Sequence, residues 1–391
     1  MDKINVHNRL VDFIIVTLSI SPAFALADDN KNLLLIVSMV IVIPFIFINN
    51  PNRISKIDLT LVSLCFFMII FPLLGHPETM RWSTVIYSCM FCLYFMAFTR
   101  VLYDSNYNND DLLRILKYLI YAYGIVLIIQ QFCVLAGLPI FNISNYSIKE
   151  PWKLNSLMSE PSHSARIIPV LMYLFICCNE RATEEKQSLK ESFKASKWVW
   201  LSFLWSVCTM GSATAIIFQL VVFAKFFNYK KLLPTIAVCV AILIGLFLIS
   251  ENNSTLRVKR IATAMLTLDE DKIISADGSG ASRIVPTIRA AKVIGITTKS
   301  DLFGHGIDAD QHIIRPIPGI AKGQAGAFFL WINFGVIVAI IWWIFSFKIC
   351  YTPGNFVSCI IWFLIPFSYG GFNNQIIWMV LTLMYTYKRI R

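Results

Sequence analysis

Residues 57–75 read IDLTLVSLCFFMIIFPLLG, a run whose only ionisable carboxylate, Asp58, sits at its very start. About 17 to 25 predominantly apolar residues are needed for a helix to cross roughly 30 Å of hydrocarbon, so this stretch reads as a membrane span. Comparable runs lie at 10–27, 32–48, 82–101, 112–136, 165–178, 198–210, 212–227, 232–250, 325–349, 355–370 and 375–387. The whole chain is 57% hydrophobic and 15% charged. Soluble domains carry roughly 45–50% apolar and about 25% charged residues, so one or two spans do not account for this balance. The expected fold class is an all-α polytopic membrane protein, one integral membrane domain over 1–391 with about 12 transmembrane helices.

The seventh and eighth runs are separated only by Gly211 and Ser212, which admits either two spans or one broken, re-entrant helix. The first run ends in Ala23-Phe24-Ala25-Leu26-Ala27 after Lys3 and Arg9, a pattern close to a secretory signal. Its length and the spans that follow favour an uncleaved anchor.

The 34 Lys and Arg exceed the 23 Asp and Glu, giving a net charge of +11. In a membrane chain such a surplus sets topology and meets anionic lipid before it suggests nucleic acid. If the N-terminus is inside, nineteen Lys and Arg fall on inner segments and five on short outer loops; the remaining ten lie in the long segment 251–324, outside the short-loop rule. Both termini are therefore expected in the cytoplasm of a bacterial inner-membrane protein. Segments 137–164 and 251–324 are expected as periplasmic loops, and 179–197 as a charged, helical cytoplasmic connector.

All ten cysteines lie in or beside apolar runs, which argues against a disulfide framework or a zinc site; the Cys89 and Cys92 pair has no second pair or histidine near it. No glycine-rich phosphate loop of the NTP-hydrolysing kind occurs. The acids inside the spans, Asp12 and Asp58, sit near an inner end, which disfavours an ion-coupled transporter.

Chemistry is concentrated in the two outer loops. In the first, Ser159-Glu160-Pro161-Ser162-His163-Ser164-Ala165-Arg166 reads as a helix start, with Pro161 in the first turn and Ser159 or Glu160 at the cap. His163 and Arg166 then share a face, and a helix N-terminus beside an arginine suits a phosphate. The alternative is a local Glu160–Arg166 ion pair that only positions the loop. In the second loop, Arg283 and Arg289 fall on a loosely helical stretch, where guanidinium forks suit phosphate and a solvated helix face is the plainer reading. Gly304-His305-Gly306 and His312 follow, imidazoles that titrate near working pH.

With Glu160-Pro161-Ser162 opening the helix, the paired Arg283 and Arg289, Gly304-His305-Gly306 and two large outer loops, the chain resembles the Wzy family of O-antigen and exopolysaccharide repeat-unit polymerases. The resemblance covers the whole chain in topology and about a dozen residues in motif; the family's arginine-to-glycine spacing is only approximated. It implies a GT-C-like, metal-independent membrane glycosyltransferase without cofactor, working in lipopolysaccharide or related polysaccharide biosynthesis. Such an enzyme moves the growing glycan from undecaprenyl diphosphate onto the next lipid-linked repeat unit at the periplasmic face. The implied partners are the undecaprenyl-diphosphate-linked oligosaccharide, membrane lipid and a chain-length regulator, with no nucleic acid. On this resemblance Glu160, His163 and His305 are candidates for the catalytic base, and Arg166, Arg283 and Arg289 for a diphosphate clamp; no metal ligands are implied. The rivals are an O-antigen ligase, which shares this topology and loop chemistry, a lipid-linked oligosaccharide flippase, and a structural assembly partner.

Overall fold

The computed structural model describes residues 3–24, 32–48, 54–140, 142, 151–210, 212–226, 263–264, 267, 269–276, 278–318, 322–368 and 372–390. The expected span 232–250 and the signal-like residues Ala25–Ala27 lie outside the described residues. Those described are helical throughout, apart from loops and one isolated bridge between Thr352 and Asn355.

The first part of the chain forms α1 (Lys3–Ile20), α2 (Leu33–Val42), α3 (Phe45–Ile48), α4 (Lys56–Gly75), α5 (Trp82–Asp104) and α6 (Asn109–Ala136). Next come α7 (Pro161–Thr183), α8 (Leu189–Ala195), α9 (Lys197–Thr209) and α10 (Ala213–Ala224). The described part of 251–324 carries α11 (Glu270–Ala276), α12 (Gly278–Val293), α13 (Lys299–Phe303) and α14 (Asp310–Ile313). The chain closes with α15 (Phe329–Phe334), α16 (Val336–Cys350), α17 (Phe356–Trp362), a π-helical turn over Phe363–Phe367, and α18 (Gln375–Arg389).

Among the described residues four helices, α4, α5, α6 and α7, are long and apolar enough to cross a membrane, and shorter apolar helices accompany them. Large apolar side chains stand exposed on their outer faces, among them Phe66, Ile128, Phe132 and Leu135, each at least half exposed. Water would penalise such a surface, whereas lipid tails cover it without cost, and helices satisfy every backbone group internally. These features mark a helical membrane protein.

Hydrogen bonds gather the helix ends at two opposite ends of the bundle. At one end, Arg100 at the close of α5 bonds Asp58 at the start of α4 (3.2 Å) and the Ile46 carbonyl of α3 (2.6 Å). Asn109 at the start of α6 reaches the Cys178 carbonyl in α7 (3.0 Å). Arg181 of α7 donates to the Tyr387 carbonyl of α18 (2.8 Å), with its guanidinium 3.9 Å from the Tyr387 ring centre. Lys388 donates to the Lys348 carbonyl of α16 (2.6 Å). We term this the basic end.

At the other, loop-rich end, Gln375 opens α18 by donating to the Leu18 carbonyl of α1 (2.5 Å) and to Ser21 (2.7 Å), while its Oε1 accepts from Asn32 at the cap of α2 (2.6 Å). Tyr123 of α6 donates to the Ser19 carbonyl (2.6 Å), and Ser88 of α5 to Asn373 (2.5 Å). α1 is thus an integral strut of the bundle, with Val11, Ile14, Ile15 and Leu18 fully buried.

The pairing of α9 and α10 settles the ambiguity at Gly211 and Ser212. Ser202 bonds the Ile120 carbonyl and Thr209 bonds Gln131, so α9 rises alongside α6 towards the loop-rich end. Lys225, just past α10, pairs with Glu180 of α7 at 2.6 Å, so α10 returns to the basic end. The two are antiparallel helices, not one broken helix.

The expected span 325–349 is not one helix. A turn over Gly326–Phe328 leads into α15, and the chain breaks at Gly335, at φ 91°, before α16. A Cβ on Gly335 would collide with the Leu302 carbonyl and crowd Gly304, so the break is imposed by backbone packed directly on backbone.

The interior between α5, α16 and α18 is aromatic. Trp342 lies 4.6 Å from Phe372 and 5.3 Å from Trp378, and Trp378 stacks on Phe91 at 5.7 Å. The Trp378 indole donates to the Phe372 carbonyl at 2.8 Å, so burial of the ring leaves no polar atom unsatisfied. Trp378→Ala removes a fully buried ring from this cluster and is expected to cost about 3–5 kcal/mol, read as lower thermal stability of the purified chain in detergent.

Candidate functional site

The helix start expected at Pro161 is present. Pro161 occupies the first turn of α7 and Glu160, in extended backbone, is its N-cap residue. The cap is held from behind by Ser156, whose backbone is left-handed at φ 51° and whose polar atoms are bonded: its N–H donates to Gln130 (2.9 Å) and its hydroxyl to the Tyr123 carbonyl (2.7 Å). Ser164 in the first turn donates to the Asn155 carbonyl (2.5 Å), so the loop and the helix brace each other.

On this frame Glu160 accepts from Ser162 (3.1 Å) and lies 3.8 Å from His163, whose Nδ1 is 3.0 Å from Ser159. Glu160 is half-exposed and His163 mostly covered. Arg166 differs from the expectation of a surface phosphate seat: it is 6% exposed, with Nη1 directed at the Ser162 carbonyl (3.4 Å). The side chain of Arg166 turns back along α7 into the protein.

The paired arginines lie on α12, as their spacing predicts. The side chain of Arg283 lies outside the described residues. Arg289 is not on a solvated face: it is 9% exposed, its Nε donates to Glu270 of α11 (2.8 Å), and its Nη1 donates to the carbonyls of Arg315 (2.5 Å) and Pro316 (3.1 Å). Lys292 grips the other oxygen of Glu270 at 2.6 Å. These two cations hold the Glu270 carboxyl below the usual carboxylate range. Arg289 therefore ties three separate stretches of the second outer segment together, and Glu270 would have to release it before a diphosphate could take that place.

His305 lies in the turn after α13. Its glycine neighbour Gly304 has φ 86°, and a Cβ there would sit 2.6 Å from the Asn333 carbonyl, so the motif is shaped by contact with α15. The His305 N–H donates to the Ile332 carbonyl at 2.7 Å. Its Nε2 is buried without a hydrogen-bond partner, 3.7 Å from Asp301. Burial pushes the imidazole below its ordinary pKa and nearby His76 adds to this, while Asp301 opposes it. Asp301 is itself held low, chiefly by the Thr298 N–H in a capping box that starts α13.

The structure adds residues that the sequence reading passes over. His76, in the short loop after α4, lies 3.1 Å from Ser300 through Nε2 and 3.1 Å from Glu78 through Nδ1. Arg81 pairs with Asp308 at 2.5 Å, and Thr79 accepts from the Ile307 N–H at 3.3 Å. Asp310 is buried against Asn333 (3.0 Å), and desolvation pushes its carboxyl up to about 6. Two sequence signals point here: Thr298-Lys299-Ser300-Asp301 is a capping box, and Asp301 stands four residues before His305. His312, by contrast, lies in the last turn of α14 and joins none of these contacts.

The candidate residues are thus held by different elements. Glu160, His163 and Arg166 ride on α7, against α6 and α10; His305 rides on the 299–308 turn, against α4 and α15. Both sets belong to the loop-rich end. The 299–308 turn is pinned to the start of α5 through Arg81, α5 to α18 through Ser88 and Asn373, α18 to α1 through Gln375, α1 to α6 through Tyr123, and α6 to the α7 cap through Ser156. Among the described residues no group of three or more His, Cys, Asp and Glu is arranged to hold a metal ion. No protein-family model matches the chain, and no curated protein matches it in sequence.

Removing Arg289 leaves Glu270 to Lys292 alone and strips the Arg315 and Pro316 carbonyls of their donor. Breaking a buried pair by removing one partner costs about 3 kcal/mol or more, so Arg289→Ala is expected to destabilise the 270–318 segment and expose it to limited proteolysis. Unchanged proteolysis would assign Arg289 no structural part.

Proposed function

We propose that this chain is an inner-membrane glycan polymerase of the Wzy type, with about twelve spans, both termini in the cytoplasm and the loop-rich end facing the periplasm. It transfers a growing O-antigen or related surface glycan from undecaprenyl diphosphate to the next lipid-linked repeat unit. The observation that carries this reading is the gathering, at one end of an apolar helical bundle, of the Glu160–Arg166 helix start and a desolvated His305. The clustering of Lys and Arg at the opposite end supports the orientation.

The chemistry follows from charge. The acceptor hydroxyl oxygen attacks the anomeric carbon of the donor as the bond from that carbon to the diphosphate oxygen breaks. The leaving diphosphate keeps the electron pair, and the hydroxyl proton passes to a base; no redox change occurs. A neutral imidazole serves as that base, and His305, held below its ordinary pKa, is neutral at pH 7. His163 with Glu160 is the second candidate. Arg166, near the positive end of the α7 dipole, supplies positive charge where the leaving group develops negative charge, once its side chain turns out from the Ser162 carbonyl. Arg283 and Arg289 belong to the diphosphate clamp on this reading, Arg289 once Glu270 lets it go. The spans offer the polyprenyl tail an apolar flank.

The decisive experiment is the lipopolysaccharide ladder of cells lacking this gene, complemented with wild type or His305→Gln at matched expression. Core bearing a single repeat, restored to a full ladder by wild type alone, is the expected result. Core bearing no repeat would indicate the ligase, and an unchanged ladder a different polysaccharide or class. With purified chain and lipid-linked repeat units, loss of the base is expected to slow turnover about a hundredfold or more. In the wild type the rate should hold at pH 7 and fall on acidification, below the ordinary histidine pKa of about 6.5, as His305 takes up a proton. A limb rising only above pH 8 would remove His305 from that role.

A further inference from the structure

A cavity of about 390 Å³ opens at the basic end, between the start of α6, the end of α7 and the start of α9. That volume falls in the range of roughly 300–1,000 Å³ occupied by small-molecule sites. Arg114, Lys117 and Lys197 converge on it, with Asp110 as the one carboxylate in its wall. Arg114 is already neutralised by Asp111 at 2.9 Å and Asp12 at 3.6 Å. Lys117 and Lys197 have no carboxylate partner among the described residues, and both are exposed. Two ammonium groups without a carboxylate partner, Lys197 also lying 6.0 Å from the Trp198 ring centre, thus border one recess from separate helices, an arrangement that suits an anion.

The rim shows where that anion comes from. Tyr118 and Trp198, also in the cavity wall, are 60% and 71% exposed. Amphipathic aromatic rings of this kind settle at the headgroup level of a bilayer, and basic pockets between helices on the inner side take anionic headgroups. The lipid-facing residues Ile125, Ile128 and Ile129 continue along α6 from the same opening, an apolar track beside a cationic mouth. We propose that this cavity binds the headgroup of an anionic phospholipid, with Lys117 and Lys197 on its phosphate, Tyr118 and Trp198 at the glycerol level and the acyl chains along α6. The site lies at the opposite end from Glu160 and His305 and stands independently of the glycan chemistry.

The test uses the purified full-length chain, titrated with phosphatidylglycerol or phosphatidylcholine and read by native mass spectrometry. Phosphatidylglycerol should bind in preference, and the Lys117→Gln/Lys197→Gln double variant should bind it about thirtyfold more weakly, since each cation near the membrane contributes on the order of a factor of five. Lys117→Arg/Lys197→Arg should retain binding. Protection of Lys117 and Lys197 from acylation by phosphatidylglycerol, measured on the wild type, gives the same answer without a variant. Equal binding of both lipids, unchanged binding by the Gln variant, or absence of protection would each overturn the proposal. Protection by glycerol 3-phosphate without protection by the lipid would also overturn it, and point to a soluble phosphoester instead.

Discussion

Gln375 closes the bundle. Its amide bonds α1, the turn after α1 and the cap of α2, joining the first helices of the chain to the last. Within a bilayer there is no hydrophobic gain from helix meeting helix, because lipid tails are as apolar as leucine; association rests on packing and on interhelical hydrogen bonds. Buried amides and hydroxyls concentrated at the helix ends therefore set the relative heights of the helices. Asn32, Tyr123, Ser88 and Ser156 serve the loop-rich end in this way, and Arg100, Asn109, Arg181 and Lys388 the basic end. The aromatic stack around Trp378 fills the space between.

The heights so fixed determine what the outer segments meet. The 299–308 turn reaches the loop after α4 because α4 and α5 end and begin at the same level, and the α7 cap is braced by the last turns of α6. An imidazole whose Nε2 is buried without a hydrogen-bond partner and a carboxyl lifted towards neutrality are then consequences of tertiary placement. Desolvation costs energy, and such groups persist where the surroundings over-determine them.

Much of this was legible in the sequence wherever the signal is local. The expected span 57–75 is the helix Lys56–Gly75, the expected 82–101 is Trp82–Asp104, and Pro161 opens its helix because a proline lacks the N–H that a first turn leaves unbonded anyway. What escaped is decided by distant residues. The run around Gly335 is apolar apart from Asn333, too weak a signal to place a break; the break comes from the backbone at 302–304 packed against it. Likewise no neighbour of Arg289 in sequence reveals that Glu270 and two carbonyls beyond position 314 enclose its guanidinium. The sequence around His76 shows only its neighbour Glu78; the contact that ties it to α13, with Ser300, comes from 224 positions away.

The separation of 357 residues between Gln375 and Leu18 bears on biogenesis. A chain made from its N-terminus forms α1 while α18 is still being synthesised, so the carbonyl and hydroxyl acceptors at the end of α1 wait until α18 arrives. The bundle is consequently locked only once residue 375 and the helix it opens have been made. A ribosome stalled or a message truncated before position 375 yields a membrane-inserted but unlatched chain, the form that quality-control proteases recognise.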